Sequence, residues 1–132
     1  MSPFFIIFVD MGKYVIIGTD GVGVFMSLDG MDTIMLDSRN PNQKLFIYYK
    51  SGKVATISLR TAVPAADTPK WFNFFVDTFT SIANGSASNW ETSTEQTTIG
   101  GPKNPTTGVY PSLLPFNDSL GNPIEISSIT VI

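Results

Sequence analysis

Residues 13–37, KYVIIGTDGVGVFMSLDGMDTIMLD, decide the fold, because they contain three apolar runs separated by two short turn sequences. The turns are Asp20-Gly21 and Asp29-Gly30. Asp-Gly suits type I′ turns, in which both central residues have positive φ, and these turns join adjacent antiparallel strands. The stretch therefore predicts two β-hairpins in series. The predicted strands are residues 13–19, 22–28 and 31–37.

A third hairpin is predicted between residues 44–49 and residues 54–59, and its turn sequence KSGK allows two registers. A two-residue turn pairs Tyr49 with Val54, whereas a type I turn followed by a glycine bulge pairs Tyr49 with Lys53. We favour the bulged register, since a one-residue slip would turn the apolar side chains of this hairpin toward water. Those side chains are Leu45, Ile47, Ala55, Ile57 and Leu59.

One amphipathic helix is predicted between Thr68-Pro69 and Asn84-Gly85. Threonine can cap a helix, proline fits its first turn, and glycine commonly follows its last residue. Trp71 and Phe74 fall on the flank of the apolar stripe, where exposed aromatic rings are typical of interfaces. The helix therefore predicts both a core contact and a contact with a neighbouring subunit. The stripe comprises Phe72, Phe75, Val76, Phe79, Ile82 and Ala83.

The composition changes near Gly85, after which the chain is rich in Ser, Thr, Asn, Gly and Pro. These features predict an α+β domain, an antiparallel meander of five to six strands packed by one C-terminal helix and followed by an extended arm. Isolated apolar anchors in the arm indicate that it lies on a surface, and its last nine residues, IEISSITVI, predict a strand in its own sheet or a neighbour's. The predicted units are an N-terminal strand or docking arm (1–12), the sheet with its helix (13–85) and the arm (86–132).

The low charge of the chain favours assembly over catalysis. Only 14% of the residues are charged, against roughly 25% in an ordinary soluble domain. The net charge is −3 and the basic residues are scattered, so we expect no nucleic-acid partner and no membrane partner. The apolar run at residues 4–9 is too short to span a bilayer.

Few residues are suited to chemistry. The chain has no His and no Cys, which removes the commonest general base and zinc ligand, all thiolate metal sites and all disulfides. Four aspartates, Asp20, Asp29, Asp32 and Asp37, form the only local carboxylate cluster, and two of them precede turn glycines, where aspartate is favoured for backbone reasons. The GTDGVG sequence at residues 18–23 lacks the ending of a phosphate loop. We therefore expect no enzymatic activity, cofactor, metal or small-molecule substrate.

The apolar run at residues 4–9 and the long tail at residues 86–132 resemble those of small virion structural proteins, including minor or decorating components of bacteriophage particles. The resemblance implies a protein of the virion, assembled in the host cytoplasm, present in many copies and in contact with itself or with other structural proteins of the particle. Subunit contacts are predicted at Trp71, Phe74, Trp90, Tyr110, Leu113, Leu114 and Phe116. The alternative is a small monomeric binding module, a roll-like domain that recognises a peptide or a lipid.

Overall fold

The computed structural model describes residues 13–84 and 98–132, and within them the chain forms eight strands and one long helix. A short 3-10 turn (Ala65–Asp67) leads directly into the helix α1 (Thr68–Ala83). The strands are β1 (Tyr14–Thr19), β2 (Val22–Ser27), β3 (Met31–Leu36), β4 (Lys44–Tyr49), β5 (Val54–Leu59), β6 (Thr98–Ile99), β7 (Leu113–Asn117) and β8 (Pro123–Val131).

The strands of the described residues form two sheets. A three-stranded sheet has the order β2-β1-β6, and a five-stranded sheet has the order β3-β4-β5-β8-β7. The strand pairs are antiparallel except for the short parallel pair of β1 and β6. Antiparallel sheets combined with one helix agree with the predicted α+β class. A single core cluster contains buried residues from both sheets and from α1.

The first predicted hairpin is confirmed. Thr19 pairs with Val22, so Asp20 and Gly21 form a two-residue turn. Both have positive φ, 48° at Asp20 and 87° at Gly21, as a type I′ turn requires.

The second predicted hairpin is wrong, because β2 and β3 belong to different sheets. Met31 N donates to Leu28 O at 3.4 Å, so a turn does form around Asp29-Gly30. Gly30 has φ of 73°, but Asp29 does not have positive φ. A turn with positive φ at its second central residue alone does not match the twist of a tight hairpin, and the two strands separate.

The bulged register of the third hairpin is confirmed. Tyr48 pairs with Val54, and Tyr49 N donates to Lys53 O at 2.9 Å. Gly52 has φ of 92°, the left-handed conformation that the bulge requires of this residue. The register buries Leu45 and Ile47 of β4 on the same face as the apolar residues of β5.

The predicted strand at the end of the chain is confirmed as β8, in the chain's own sheet, but β6 and β7 also pair in the sheets where an extended arm was predicted. β8 lies between β5 and β7, and it pairs with β5 from Ala55–Val131 to Leu59–Ile126. Ile124 and Ile126 of β8 are buried in the core. The Pro/Ser/Thr-rich composition predicted an arm. Short apolar segments within it nevertheless join the sheets, because burial of their side chains in the core is favourable.

The helix begins where it was predicted, but Thr68 is not its cap. Asp67 holds the N-cap position, with its side chain making no hydrogen bond to the helix. The buried carboxylate of Asp67 accepts hydrogen bonds from Ser119 N and Ser119 Oγ, both at 2.9 Å, while Thr68 Oγ1 donates to Asn42 Oδ1 at 2.8 Å. The N-terminus of α1 is thus attached to the β7–β8 turn and to the loop before β4.

The buried face of α1 is rotated relative to the predicted stripe. Trp71, Phe75 and Phe79 are fully buried, whereas Ala83 is exposed. Residues four apart on a helix differ by about 40° around its axis, so these three rings form one line. The stripe prediction assigned Trp71 to the flank; the structure places it at the centre of the helix–sheet contact.

Gly18 allows the segment before β7 to cross the three-stranded sheet closely. A Cβ at Gly18 would overlap with the carbonyl oxygen of Pro111, which belongs to the backbone and cannot rotate away. We expect Gly18→Ala to lower the free energy of unfolding by about 1–3 kcal/mol or more. Gly30→Ala is the control, because its Cβ would meet open space and only φ is strained. Chemical denaturation measures both variants, and an equal loss in the two would contradict the crossing.

Candidate assembly surfaces

The seven predicted contact residues differ in how exposed they are to a neighbouring subunit. Trp71 is fully buried and Leu114 is 5% exposed, so both pack inside the chain. Trp90 lies outside the described residues. Leu113 is 46% exposed, whereas Phe74, Tyr110 and Phe116 are half-buried.

Phe74 and Phe116 pack against each other and connect α1 to β7. Their ring centroids are 5.6 Å apart in an edge-to-face arrangement. Lys70 Nζ lies 4.8 Å from the centroid of the Phe116 ring and donates to Asn117 O at 3.3 Å. These rings therefore already have partners within the chain, and their remaining exposed edges are small contact surfaces.

Tyr110 covers the face of the three-stranded sheet that points away from the core. Its backbone N donates to Gly21 O at 3.1 Å, and its ring would lie only 2.7 Å from a Cβ added at Gly23. Lys103 Nζ lies 5.8 Å from the ring centroid. Tyr110 thus serves to close this face within the chain.

A groove between the two sheets leaves apolar side chains exposed. Its volume is about 240 Å³, and it lies between β2 on one side and the end of β4, the β4–β5 turn and the end of β8 on the other. Phe25 is 60% exposed and Val131 is 56% exposed at this groove. Sequence reasoning missed it because the predicted second hairpin would have covered the outer edge of β2.

Tyr49 forms the wall of this groove where the two sheets approach. Its hydroxyl donates to Ser27 O at 2.8 Å, which connects β4 to the end of β2. Burial raises the pKa of the Tyr49 phenol. The groove therefore has one fixed wall and an apolar floor.

The outer face of the five-stranded sheet is uncharged across two cross-strand rows. Asp32, in the β-bulge of β3, lies at one end of the two rows, and Lys44 with Asp37 opposite it lies at the other end. Outer faces exposed to water usually carry charged side chains, and their depletion is typical of interface cores. The first row is Met35, Phe46, Thr56 and Thr130, and the second is Thr33, Tyr48, Val54 and Ile132.

The four clustered aspartates of the sequence do not converge on one site. Asp20 forms an ion pair with Arg60, and Asp29 accepts a hydrogen bond from Lys13 N at 3.5 Å. Asp37 accepts a hydrogen bond from Arg39 N at 2.9 Å, and this bond lowers the pKa of its carboxyl. Within residues 13–84 and 98–132, no three His, Cys, Asp or Glu side chains are grouped as metal ligands.

A cavity with a volume of about 510 Å³ lies between the β5–α1 loop and the β7–β8 turn. Arg60 lines it, but its guanidinium already contacts Asp20 and donates from Nε to Glu125 Oε2 at 2.9 Å. The positive charge is therefore balanced by two carboxylates. The cavity has a mixed polar and apolar lining, and this arginine adds no uncompensated charge to it.

Comparisons with protein-family models, with curated proteins and with solved structures find no match to this chain. In the part of the chain that the structure describes, no helix is long and apolar enough to cross a membrane. The surfaces described above are therefore the structural basis for inferring the function.

Proposed function

We propose that this protein is a non-enzymatic structural protein that stabilises a larger particle through contacts with copies of itself or with other structural proteins. The particle is a viral one, such as a bacteriophage shell or tail in which the chain is a minor or decorating component. Its place is then the virion, assembled in the host cytoplasm. The proposal combines the resemblance of the sequence with the surfaces of the fold.

The observation that carries the proposal is the uncharged outer face of the five-stranded sheet. A face that bears two aromatic rings, Phe46 and Tyr48, among Met, Thr and Val side chains can stack on a second sheet without burying a charge. The rings pack edge to face with centroids 6.2 Å apart, which keeps their geometry fixed.

A second copy of the same chain fits this face. A two-fold axis parallel to the cross-strand rows reverses the strand direction of the second sheet. Asp32 of one copy then lies at the end of the face that carries Lys44 of the other copy. Asp37 lies opposite Lys44 on β3, so this rim carries both signs of charge, and the two uncharged rows supply the contact between the copies.

Substitution of the central aromatic residue tests this function. We expect Phe46→Lys to weaken self-association at least about tenfold, roughly 1.4 kcal/mol, because it buries an unpaired charge at the interface. Asn73→Lys adds the same charge on the exposed face of α1 and serves as the control. Light scattering on a sizing column, across a concentration series, measures the solution mass of each variant.

The fold of each variant is checked by circular dichroism, since Phe46 is half-buried against its neighbours. Loss of the large species in both variants, or in neither, contradicts the role of the outer face. A monomeric wild-type chain at every concentration contradicts self-assembly itself.

A small monomeric binding module is the second candidate, and the 510 Å³ cavity favours it. Polar side chains and backbone groups beside apolar walls, such as Val63 and Ile124, suit a peptide ligand better than a lipid tail. A chain that remains monomeric but binds a peptide library with defined sequence preference would support this reading.

A further inference from the structure

The free edge of β2 is the starting point. Among the described strands, β2 pairs through its backbone with β1 alone, and at its end the Ser27 carbonyl accepts the hydrogen bond from the Tyr49 hydroxyl. The isolated bridge to Tyr110 lies at Gly21, just before the strand begins. From Val22 to Met26, one side of the β2 backbone therefore faces no other described strand, and such an edge is a template for an added strand.

The apolar groove runs beside this edge. Side chains of the core-facing row at the end of β8, Ile129 and Val131, form its floor together with Val24 of β2. Val22 is 63% exposed at the same edge. An added strand would gain backbone hydrogen bonds from β2 and, from its alternate side chains, burial in the groove.

The sequence contains a segment that matches this edge. Residues 4–9, FFIIFV, are six consecutive apolar residues, the same length as β2. They contain no charge, no glycine and no proline, and aromatic and β-branched residues predominate, which favours a strand. A segment of this composition needs a partner surface to leave water.

The attachment point of this segment decides which copy it can reach. Leu28 N donates to Lys13 O at 2.9 Å, which fixes Lys13 beside the end of β2. Residue 9 is four residues from Lys13 and can lie at most ~14 Å from it. Antiparallel pairing along all of β2 would place residue 9 at the start of β2, which is ~17 Å away along the strand alone.

Parallel pairing within the same chain would place residue 9 beside the end of β2, within reach of Lys13. Antiparallel ladders are more stable per residue than parallel ones, and the short link to Lys13 prevents antiparallel pairing along all of β2 within one chain. No such restriction applies to a segment that comes from another molecule.

We infer that the free edge of β2 and the adjacent groove bind residues 4–9 of a second copy, which adds an antiparallel strand to the three-stranded sheet. This inference rests on the proposed assembly function. It adds a second contact surface, the edge of β2, and names another copy of the chain as its partner. Each chain both offers an edge and supplies a segment, so the contact repeats from copy to copy and adds to the stacking of the outer faces.

Cross-linking between two full-length chains tests the inference, because the natural chain contains no cysteine. One copy carries Ile7→Cys and an isotopic label, and the other carries Val24→Cys. A short bismaleimide is added to the mixture, and mass spectrometry identifies dimers made of one labelled and one unlabelled copy. Asn73→Cys, on the exposed face of α1, replaces Val24→Cys in the control mixture.

We expect mixed dimers with Val24→Cys to exceed those with Asn73→Cys several-fold. Equal yields in the two mixtures overturn the inference, as does an intramolecular cross-link in a chain that carries both Ile7→Cys and Val24→Cys. Absence of cross-links while light scattering still detects large species overturns this contact and leaves the proposed function standing. Monomers at every concentration overturn both.

Discussion

A chain that ends at residue 85 is expected not to fold. It lacks β6, β7 and β8, and β8 lies between β5 and β7 in the five-stranded sheet. Removing β8 exposes the edge of β5 and the buried side chains Ile57 and Leu59. The lost residues include four buried apolar side chains, each contributing ~1.5–3 kcal/mol, which together rival the stability of a typical domain. They are Ile99, Leu114, Ile124 and Ile126.

Circular dichroism and thermal unfolding measure this result directly. The matched control is a chain shortened only by its last two residues, Val131 and Ile132, which are 56% and 88% exposed. We expect that control to retain a cooperative transition with a small loss of stability. A cooperative transition of native amplitude in the 1–85 chain would show that the core does not depend on β8.

Trp71→Ala is expected to lower the free energy of unfolding by about 3–5 kcal/mol. The indole is fully buried, and its ring packs edge to face against Phe75 with centroids 6.0 Å apart. Truncation removes the largest side chain of the helix–sheet contact and leaves a cavity. Urea denaturation gives the change, with the slope of the transition as a test of two-state behaviour.

Phe74→Ala on the same helix is the control, since Phe74 is half-buried. We expect a markedly smaller loss of stability from it than from Trp71→Ala. Trp71→Phe adds a second comparison: Trp71 Nε1 is buried without a hydrogen-bond partner in the described structure, so phenylalanine removes an unsatisfied donor while keeping most of the ring volume. A larger loss of stability from Phe74→Ala than from Trp71→Ala would contradict the deeper burial of Trp71.

Short sequence patterns predicted the features that depend on interactions within a few residues, namely turns and helix ends. Asp20-Gly21 predicted its hairpin because both residues accept positive φ, and the KSGK turn predicted its bulge because one register alone buries the apolar set. Pro69 and Asn84 predicted the ends of α1 to within one residue. In each case the deciding interactions lie within a few residues along the chain.

The candidate surfaces were harder to predict from the sequence. The exposed edge of β2 depends on the sheet to which β3 belongs, and the Asp29-Gly30 turn looks like a hairpin turn in sequence. The uncharged outer face becomes visible only when the rows of β3, β4, β5 and β8 are aligned. Phe25 and Met35 were therefore missed, while Trp71 was assigned to a surface.

The sequence by itself determined the class of the fold, the turns, the helix and the low charge, because hydrophobic period, glycine conformation and composition act locally. The tertiary structure alone decided which strands are neighbours, which end of the helix stripe is buried and whether the C-terminal segment lies in the sheet. Those outcomes depend on competition for buried area among segments distant in the chain: β8 pairs with β5 more than sixty residues away, because its isoleucines complete a core that the first 85 residues leave open.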